Sequence, residues 1–267
     1  MSLLRIEQLT VRRRGRSLID QLDLRIEPGQ CWAVLGKNGS GKSTLLKTLA
    51  GIEQADSGTV LLGNDPLQTL PPRSRAQRLG LVFQHSHAGF HSTALEMALS
   101  GGYSHRNAWG YENDNEIKTA LQALQAVGLA KLPDQPLDSL SGGELRRAEI
   151  ARLLVQSPWL AMLDEPLNHL DIGQQISMLK LLREHFATAG RSLLLVLHDI
   201  NLARRIASHL LLLKGDGQWQ AGTTSELGDA TTLGDLLGYP LLGSRTPQGE
   251  MLEIDYRQAG LSSPKQR

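Results

Sequence analysis

The sequence predicts an α/β fold in which a parallel sheet carries helices on both faces. Apolar runs of strand length recur along the chain, and segments with helical spacing of apolar residues separate them. Between Leu4 and Ile26 apolar and polar residues alternate instead, which predicts an antiparallel β subdomain at the N-terminus. From about residue 85 to 158 strand-like runs are missing and helical spacing takes over, which predicts an inserted α-helical subdomain.

The individual elements are bounded by turn residues and by changes in apolar spacing. The predicted strands are Leu4–Glu7, Leu9–Val11, Leu22–Ile26, Cys31–Leu35, Thr59–Leu62, Leu79–Phe83, Trp159–Leu163, Leu193–Leu197, Leu210–Leu213, Trp219–Ala221 and Met251–Ile254. The predicted helices are Leu45–Ala50, a short one within Pro71–Gln77, Thr93–Leu99, Asn115–Val127, Glu144–Gln156, Gly173–Thr188, Leu202–Ser208 and a short one after Leu227. We expect a main domain over residues 1–235 and a C-terminal extension over 236–267 that ends in a mobile tail.

Length and composition indicate a globular protein and exclude several classes. The 267 residues suffice for one large domain or two small ones with a sizeable core. A net charge of +1 and an aromatic content of 4% provide neither a strongly basic surface nor a base-stacking surface, so no nucleic-acid partner is expected. No apolar run approaches the roughly 20 residues of a membrane span, and the start lacks the apolar core of a signal peptide. We therefore expect a cytosolic protein, unless another protein holds it at a membrane.

A glycine-rich loop follows the predicted strand Cys31–Leu35 and precedes a helix. Its pattern is G-x-x-x-x-G-K-[ST], which in this context is typical of a phosphate-binding P-loop. Backbone N–H groups and the helix N-terminus would surround phosphate oxygens, Lys42 would reach the β- and γ-phosphates, and the Ser43 hydroxyl would ligate Mg²⁺. A glycine turn before a core helix is the alternative. The residues assigned to the nucleotide are Gly36, Lys37, Asn38, Gly39, Ser40, Gly41, Lys42, Ser43 and Thr44.

Three further apolar strands end at polar side chains, namely at Gln84, at Asp164-Glu165 and at His198. Ligands of parallel sheets bind beyond the carboxyl ends of the strands, so these residues are expected to meet the P-loop. Asp164 and Gln84 would hold Mg²⁺, Glu165 would act as general base, and Gln84 and His198 would contact the attacking water and the γ-phosphate. The alternatives are a helix-capping acid pair and a structural histidine.

A second phosphate-binding pattern lies inside the predicted helical insertion, at Leu140–Glu144. Ser141 and Glu144 form a capping box for the helix that runs to Gln156. Gly142 and Gly143 leave bare backbone N–H groups that an anion can approach, although an ordinary helix cap has the same sequence. Because this stretch is remote from the P-loop, we expect it to serve a phosphate bound by another subunit.

From Leu3 to Leu227 the sequence resembles the ATP-binding subunit of an ABC transporter. Six motifs of that family occur in the family's order: Walker A at Gly36–Thr44, the Q-loop at Gln84, the signature at Leu140–Glu144, Walker B at Leu160–Asp164 with Glu165, the D-loop at Asn168–Asp171, and the switch histidine His198. The resemblance implies a RecA-like P-loop NTPase core and hydrolysis of ATP.

The resemblance also implies an assembly. Two copies would form a head-to-tail homodimer that encloses two ATP molecules, each between one Walker A and the partner's signature. Ser141, Gly142, Gly143 and Glu144 would then contact nucleotide in trans, with Asp171 of the D-loop beside them. Two separate transmembrane permease subunits and a substrate-binding protein would complete the system, with this chain at the cytoplasmic face of the inner membrane.

Three stretches resemble importers of iron–siderophore complexes, haem and cobalamin. They are Asn168–Asp171, the segment Gly101–His105 with Trp109-Gly110, and Leu236–Pro240. Importers of molybdate or zinc, and a soluble ABC ATPase that acts on ribosomes or DNA, are the alternatives. A regulator without turnover is disfavoured, because a degenerate site is expected to lose a base such as Glu165.

The sequence departs from the family pattern at two places that concern the site. The aromatic residue that stacks on adenine is expected near Arg13, where the chain has Arg12–Arg14; a guanidinium can stack on a base, so Arg13 is the predicted adenine contact. A solvated basic turn is the alternative. After the signature, Arg146 replaces the usual glutamine, and we expect it to affect the dimer seam but not the chemistry.

Overall fold

The computed structural model describes residues 2–83, 92–106, 113–246 and 249–255 of the 267. Gln84, Trp109-Gly110 and the predicted tail Ala259–Arg267 lie outside these residues. The strands are β1 Leu4–Arg13, β2 Arg16–Ile26, β3 Cys31–Gly36, β4 Ser57–Leu62, β5 Asp65–Pro66, β6 Leu79–Val82, β7 Leu160–Asp164, β8 Ser192–Val196, β9 His209–Leu213, β10 Trp219–Thr223, β11 Leu241–Thr246 and β12 Gly249–Ile254. The helices are α1 Lys42–Leu49, α2 Pro72–Arg78, α3 Ala94–Ser100, α4 Asp114–Ala126, α5 Gly142–Gln156, α6 Ile172–Phe186, α7 Ile200–Ile206, α8 Thr224–Leu227 and α9 Ala230–Leu237, with short 3₁₀ turns at Leu67–Thr69, Gly101–Ser104 and Leu137–Ser139.

The central sheet has the strand order β10-β9-β3-β8-β7-β6. Five of these strands are parallel, and β10 pairs with β9 in the antiparallel sense, as the Gly215–Gly217 turn predicts. Every residue of β3, β7 and β8 is buried. Strands that are apolar throughout require cover on both faces, and here helices and a second sheet supply it. The predicted α/β core with a parallel sheet is therefore confirmed.

The N-terminal residues form a separate antiparallel sheet with the order β2-β1-β4-β5, which confirms the predicted β subdomain. The three short predicted strands are in fact two long ones. Gln8 and Gln21 adopt φ values of 49° and 50° at register shifts, so each forms a bulge inside a continuous strand. In the sequence these bulges interrupt the alternation and resemble strand ends.

Strand β3 contributes to two hydrophobic cores at once. Trp32 and Val34 pack with the N-terminal sheet and with α1, whereas Cys31, Ala33 and Leu35 pack with the helices on the other face. Successive side chains of a strand point to opposite faces, so five apolar residues in a row serve both cores. The start of the loop after β3 is therefore fixed from both sides.

Between β6 and β7 the described chain is helical, and the three long helices of this segment pack on one another. Each begins with a capping box, formed by Thr93 with Glu96, Asn113 with Glu116, and Ser141 with Glu144. A capping box pairs two backbone donors of the first turn with side chains, so these starts are encoded locally. No helix of the described ranges is long and apolar enough to cross a bilayer.

The C-terminal extension contains a hairpin of which only β12 was expected. β11 was not predicted, because Leu241–Thr246 mixes Gly, Ser and Arg with its apolar residues and so lacks the composition of a typical strand. The hairpin is held to α7 by Asn201, which donates to Leu252 O (2.9 Å) and accepts from Leu252 N (2.8 Å). The predicted boundary at residue 235 falls inside α9, whose Leu233 and Leu236 join the larger core, and the division stays a prediction.

Two neighbouring glycines provide a test of how closely α5 packs in the helical segment. A Cβ on Gly101 would overlap the Arg152 carbonyl and lie 2.9 Å from Gln156 N, whereas a Cβ on Gly102 would meet only Val155 Cγ1 at 3.9 Å. We expect Gly101→Ala to lower the free energy of unfolding by about 1–3 kcal/mol. Gly102→Ala should change it by less than about 0.5 kcal/mol. Urea denaturation of both variants measures this; equal stabilities would contradict the packing described.

Candidate functional site

Four segments that are distant in the sequence meet around one cavity of 480 Å³ beyond the carboxyl ends of β3, β7 and β8. Its lining residues belong to the P-loop, to the residues that follow β7 and β8, and to β2; they are Leu18, Asn38, Gly39, Gly41, Lys42, Ser43, Thr44, Glu165 and His198. The structure thus brings the P-loop, Glu165 and His198 together. Gln84 lies outside the described residues, so its predicted place at this edge is not described.

The P-loop owes its shape to glycines that no other residue could replace. Gly41 caps α1 with a φ of 102°, a left-handed conformation that favours glycine. A Cβ on Gly36 would lie 2.5 Å from both Leu213 O and Ser40 Oγ. The loop backbone therefore runs closer to β9 than any side chain would allow.

Lys42 is the buried cation of the cavity, with only 6% of its surface exposed. Its Nζ donates to the Gly36 carbonyl (2.8 Å) and to the Lys37 carbonyl (3.1 Å), which holds the ammonium across the mouth of the loop. Burial lowers the pKa of Lys42, and the carboxylates of Glu165 and Asp164 act against that shift. The cation is thus placed where phosphate oxygens would replace the loop carbonyls as its partners.

Asp164 ends β7 and is 2% exposed. Burial raises the pKa of this carboxyl, whereas a hydrogen bond from Ser43 and the charges of Lys42 and Arg146 act in the opposite direction. Among the described residues its buried Oδ1 has no hydrogen-bond partner. A carboxylate oxygen without a partner beside a serine hydroxyl is a donor set that suits Mg²⁺, so Asp164 and Ser43 fit this ion.

Glu165 carries the carboxylate that faces the P-loop. Its Oε1 accepts from His198 Nε2 (2.5 Å) and its Oε2 from Asn168 Nδ2 (2.7 Å). Burial acts to raise the pKa of Glu165, but these two hydrogen bonds and the charge of Lys42 hold it below its usual value. The side chain is therefore ionised and oriented at neutral pH, as a general base must be.

The backbone of Glu165 is also unusual, because its φ is 49°. A left-handed non-glycine residue costs about 1–3 kcal/mol and persists only where its surroundings impose it. Here the Glu165 N–H donates to Val196 O (3.2 Å) of β8, and Asn168 N donates to the Glu165 carbonyl (3.4 Å). Such strain is concentrated at functional sites, which agrees with the position of this residue.

The signature residues do not line the cavity. Ser141 caps α5, and its Oγ donates to Glu144 Oε2 (2.7 Å), which lowers the pKa of that exposed carboxyl. Gly143 lies so near the D-loop that a Cβ there would be 2.8 Å from His169 O. Asp171 caps α6, with Oδ1 accepting from Gln174 N (2.8 Å). The signature and D-loop are thus packed together, away from the P-loop cavity of their own chain.

Arg13, the predicted adenine contact, is not among the residues that line the cavity either. Its guanidinium pairs with Glu53 Oε2 (2.7 Å) in the segment after α1. Leu18, which the sequence analysis did not single out, lines the cavity and lies against Gly41. No linear signal marks Leu18, since its position depends on how β2 folds over the P-loop.

Arg146 was expected to affect the dimer seam, and that effect stays a prediction. The residue is only 4% exposed and lies inside the subunit. It forms an ion pair with Glu149 (2.9 Å) and donates to the Phe83 carbonyl at the end of the strand before Gln84. A buried guanidinium needs several acceptors, and the interior of this chain supplies them.

Comparison with known proteins identifies the class of protein that this fold and cavity define. Residues 19–168, more than half of the chain, match the ABC transporter family (ABC_tran). The chain belongs to that family, and it is an ATP-binding subunit that hydrolyses ATP.

Similar proteins include ATP-binding proteins of transport and import systems. The chain is 38% identical to the ferric enterobactin transport ATP-binding protein of Escherichia coli, over 79% of this chain and 78% of that one. It is 42% identical to the hemin import ATP-binding protein of Myxococcus xanthus, over 76% and 77% of the two chains. With the hemin import ATP-binding protein of Pseudomonas aeruginosa it shares 36% identity over 92% and 96%.

The fold of the chain also resembles solved structures of ABC transporters and their ATP-binding cassettes. A metal-chelate type ABC transporter in an inward-facing conformation superposes with a TM-score of 0.80 at 27% identity, over 95% of this chain and 97% of that one. A dimeric ATP-binding cassette bound to ADP and Pi superposes with a TM-score of 0.72 at 26% identity, over 82% and 98%. The predicted P-loop NTPase fold is thereby confirmed.

Asn168 provides a test of how Glu165 is held. Asn168→Asp would set a second carboxylate 2.7 Å from Glu165 Oε2 in place of the amide donor, and like charges at that distance repel. We expect kcat for ATP to fall about tenfold or more, because the base leaves its orientation, with KM within about twofold. The exposed Asn64 is the matched control, and Asn64→Asp should leave both constants unchanged. Equal kcat values for the two variants would contradict this role.

Proposed function

We propose that this chain powers the import of an iron–siderophore, haem or cobalamin-type complex through separate membrane subunits. The observation that carries the proposal is the ionised Glu165 carboxylate, held by His198 and Asn168 at the P-loop cavity. It gives the chain a hydrolytic base rather than a nucleotide-binding site alone. The cargo class follows from relatives whose names specify ferric enterobactin, hydroxamate-bound iron and hemin.

The chemistry follows from the positions of the polar groups. Lys42 would bind the β- and γ-phosphates in place of its loop carbonyls, within reach of the N–H groups that begin α1. Glu165 would accept a proton from the water that attacks the γ-phosphorus. His198 Nε2 would donate to a γ-phosphate oxygen, which requires it to release Glu165 when nucleotide binds. Hydrolysis would then be tied to the movement of one imidazole.

Mg²⁺ would be held by Ser43 and Asp164, with Gln84 as the predicted third ligand. Asp164 Oδ1, which has no hydrogen-bond partner in the described part of the chain, supports this assignment. When bound, the ion would neutralise charge on the β- and γ-phosphates. For the base of ATP, Leu18 is the better candidate than Arg13, because Leu18 lines the cavity while Glu53 engages the Arg13 guanidinium.

The active form would be a homodimer with two ATP molecules at its interface. In a single chain the signature residues Ser141, Gly142 and Gly143 lie away from the P-loop cavity, so a second copy would have to supply them. The similarity to a dimeric cassette bound to ADP and Pi supports this arrangement. ATP bound between the copies would hold them together, and hydrolysis would let them separate.

The remaining partners would be two permease subunits and a substrate-binding protein, with this chain on the cytoplasmic face of the inner membrane. The similar metal-chelate type transporter and the import subunits among the relatives support that assembly. The ATPase would turn closure and opening of the dimer into alternating access through the permeases.

Replacing the base tests the function directly. Glu165→Gln keeps the size and polarity of the side chain but removes its basicity. We therefore expect ATP turnover to fall about 100-fold or more while ATP still binds. Glu184→Gln is the matched control, because Glu184 is exposed and pairs with Lys180 on α6. A phosphate-release assay and a nucleotide-binding assay on both variants measure this. Full turnover by Glu165→Gln would reject the assignment.

A further inference from the structure

Arg146 connects the signature helix to the strand ends of the catalytic cavity. It lies in α5, whose N-cap is Ser141, and about 7.5 Å along the helix axis separates the two residues. One nitrogen, Nη1, contacts the Phe83 carbonyl, and the other, Nη2, lies 3.4 Å from Asp164 O and 3.5 Å from Glu165 O. A single side chain of α5 therefore touches the main chain at the ends of two strands of the site.

The planar guanidinium explains how one side chain can donate to acceptors at the ends of two different strands. Its N–H groups are fixed in a fork, so two separated acceptors can be held in one geometry, which an ammonium cannot do. The carbonyl of Glu165 belongs to the residue with the left-handed backbone, and the Phe83 carbonyl directly precedes Gln84. Arg146 thus contacts the main chain of the predicted base and of Phe83, the residue that precedes the predicted γ-phosphate sensor in the sequence.

The charge of Arg146 is balanced within α5. Glu149, one turn further along, is 5% exposed and pairs with Arg146 Nη1 at 2.9 Å. A buried charge without a partner is strongly destabilising, so the two residues form a unit. Since Glu149 neutralises the cation, the bonds from Arg146 to the strand ends are not needed for charge balance.

We propose that Arg146 is a positioning residue for hydrolysis, which transfers the position of the signature helix to the backbone of Glu165. The inference rests on the proposed dimer, in which the start of α5 contacts ATP held by the partner subunit. ATP in that site would fix α5, and Arg146 would then fix the base of its own site. The two ATP sites would be coupled through one side chain in each copy.

The test compares two identical substitutions on one helix. Arg146→Lys keeps a cation for Glu149 but removes the fork. Arg152→Lys is the matched control, because Arg152 also lies on α5 and donates to β6, at Leu81 O (3.0 Å), away from the site. For Arg146→Lys we expect kcat to fall about tenfold or more, with KM within about twofold and the melting temperature equal to that of Arg152→Lys. Equal kcat values for the two variants, or a loss that follows melting temperature alone, would overturn the proposal.

A second pair of variants covers the case in which Arg146→Lys does not fold. Arg146→Met with Glu149→Gln removes the donors and the buried charge together, and Arg146→Gln with Glu149→Gln restores an amide donor. We expect the Gln pair to recover part of the kcat that the Met pair loses; equal rates would overturn the proposal. Wild-type protein without ATPase activity would instead reject the proposed function, which keeps the two failures distinct.

Discussion

Strand β3 is the constraint on which the rest of the structure depends. Its five apolar residues alternate between two cores, so the strand is clamped between the N-terminal sheet with α1 and the helices of the opposite face. The strand also pairs with β8 and β9, in register from Cys31 to Gly36. A strand held in all four directions cannot shift without disturbing both cores. The P-loop therefore begins at a fixed point, and the ends of β7 and β8 are fixed relative to it.

This fixed edge lets two adjacent carboxyl groups take different roles. Asp164 is buried, which raises its pKa, and one of its oxygens has no partner among the residues that the structure describes; Glu165 is held by two donors and has a lowered pKa. Environments that shift the pKa values of neighbouring acids in opposite directions allow the two groups to take different roles. The division follows from position, because Asp164 ends the strand and Glu165 is the first residue beyond it.

Features that depend only on residues close together in the sequence could be predicted. The run Cys31–Leu35, the P-loop glycines and the capping box of Ser141 each require only neighbouring residues, and the structure has them where they were expected. Leu18 and Arg146 depend on which segments fold against each other, and no local pattern carries that information. The burial of Arg146 could not be predicted for the same reason, since its partners Phe83 and Asp164 are 63 and 18 residues away.

The signature of the chain lies away from its own P-loop cavity, so in the proposed dimer each chain would hold only part of each site. Mixing two inactive variants tests it most directly. Lys42→Ala removes the phosphate contact and Ser141→Arg blocks the signature, so neither alone should hydrolyse ATP. In a mixed dimer, one site combines the intact Lys42 of one copy with the intact Ser141 of the other. We expect mixing to restore up to about a quarter of wild-type activity, since half of the dimers are mixed and each has one intact site; coupling between the two sites through α5 would lower that value. No recovery on mixing, with both variants folded and able to dimerise, would contradict it.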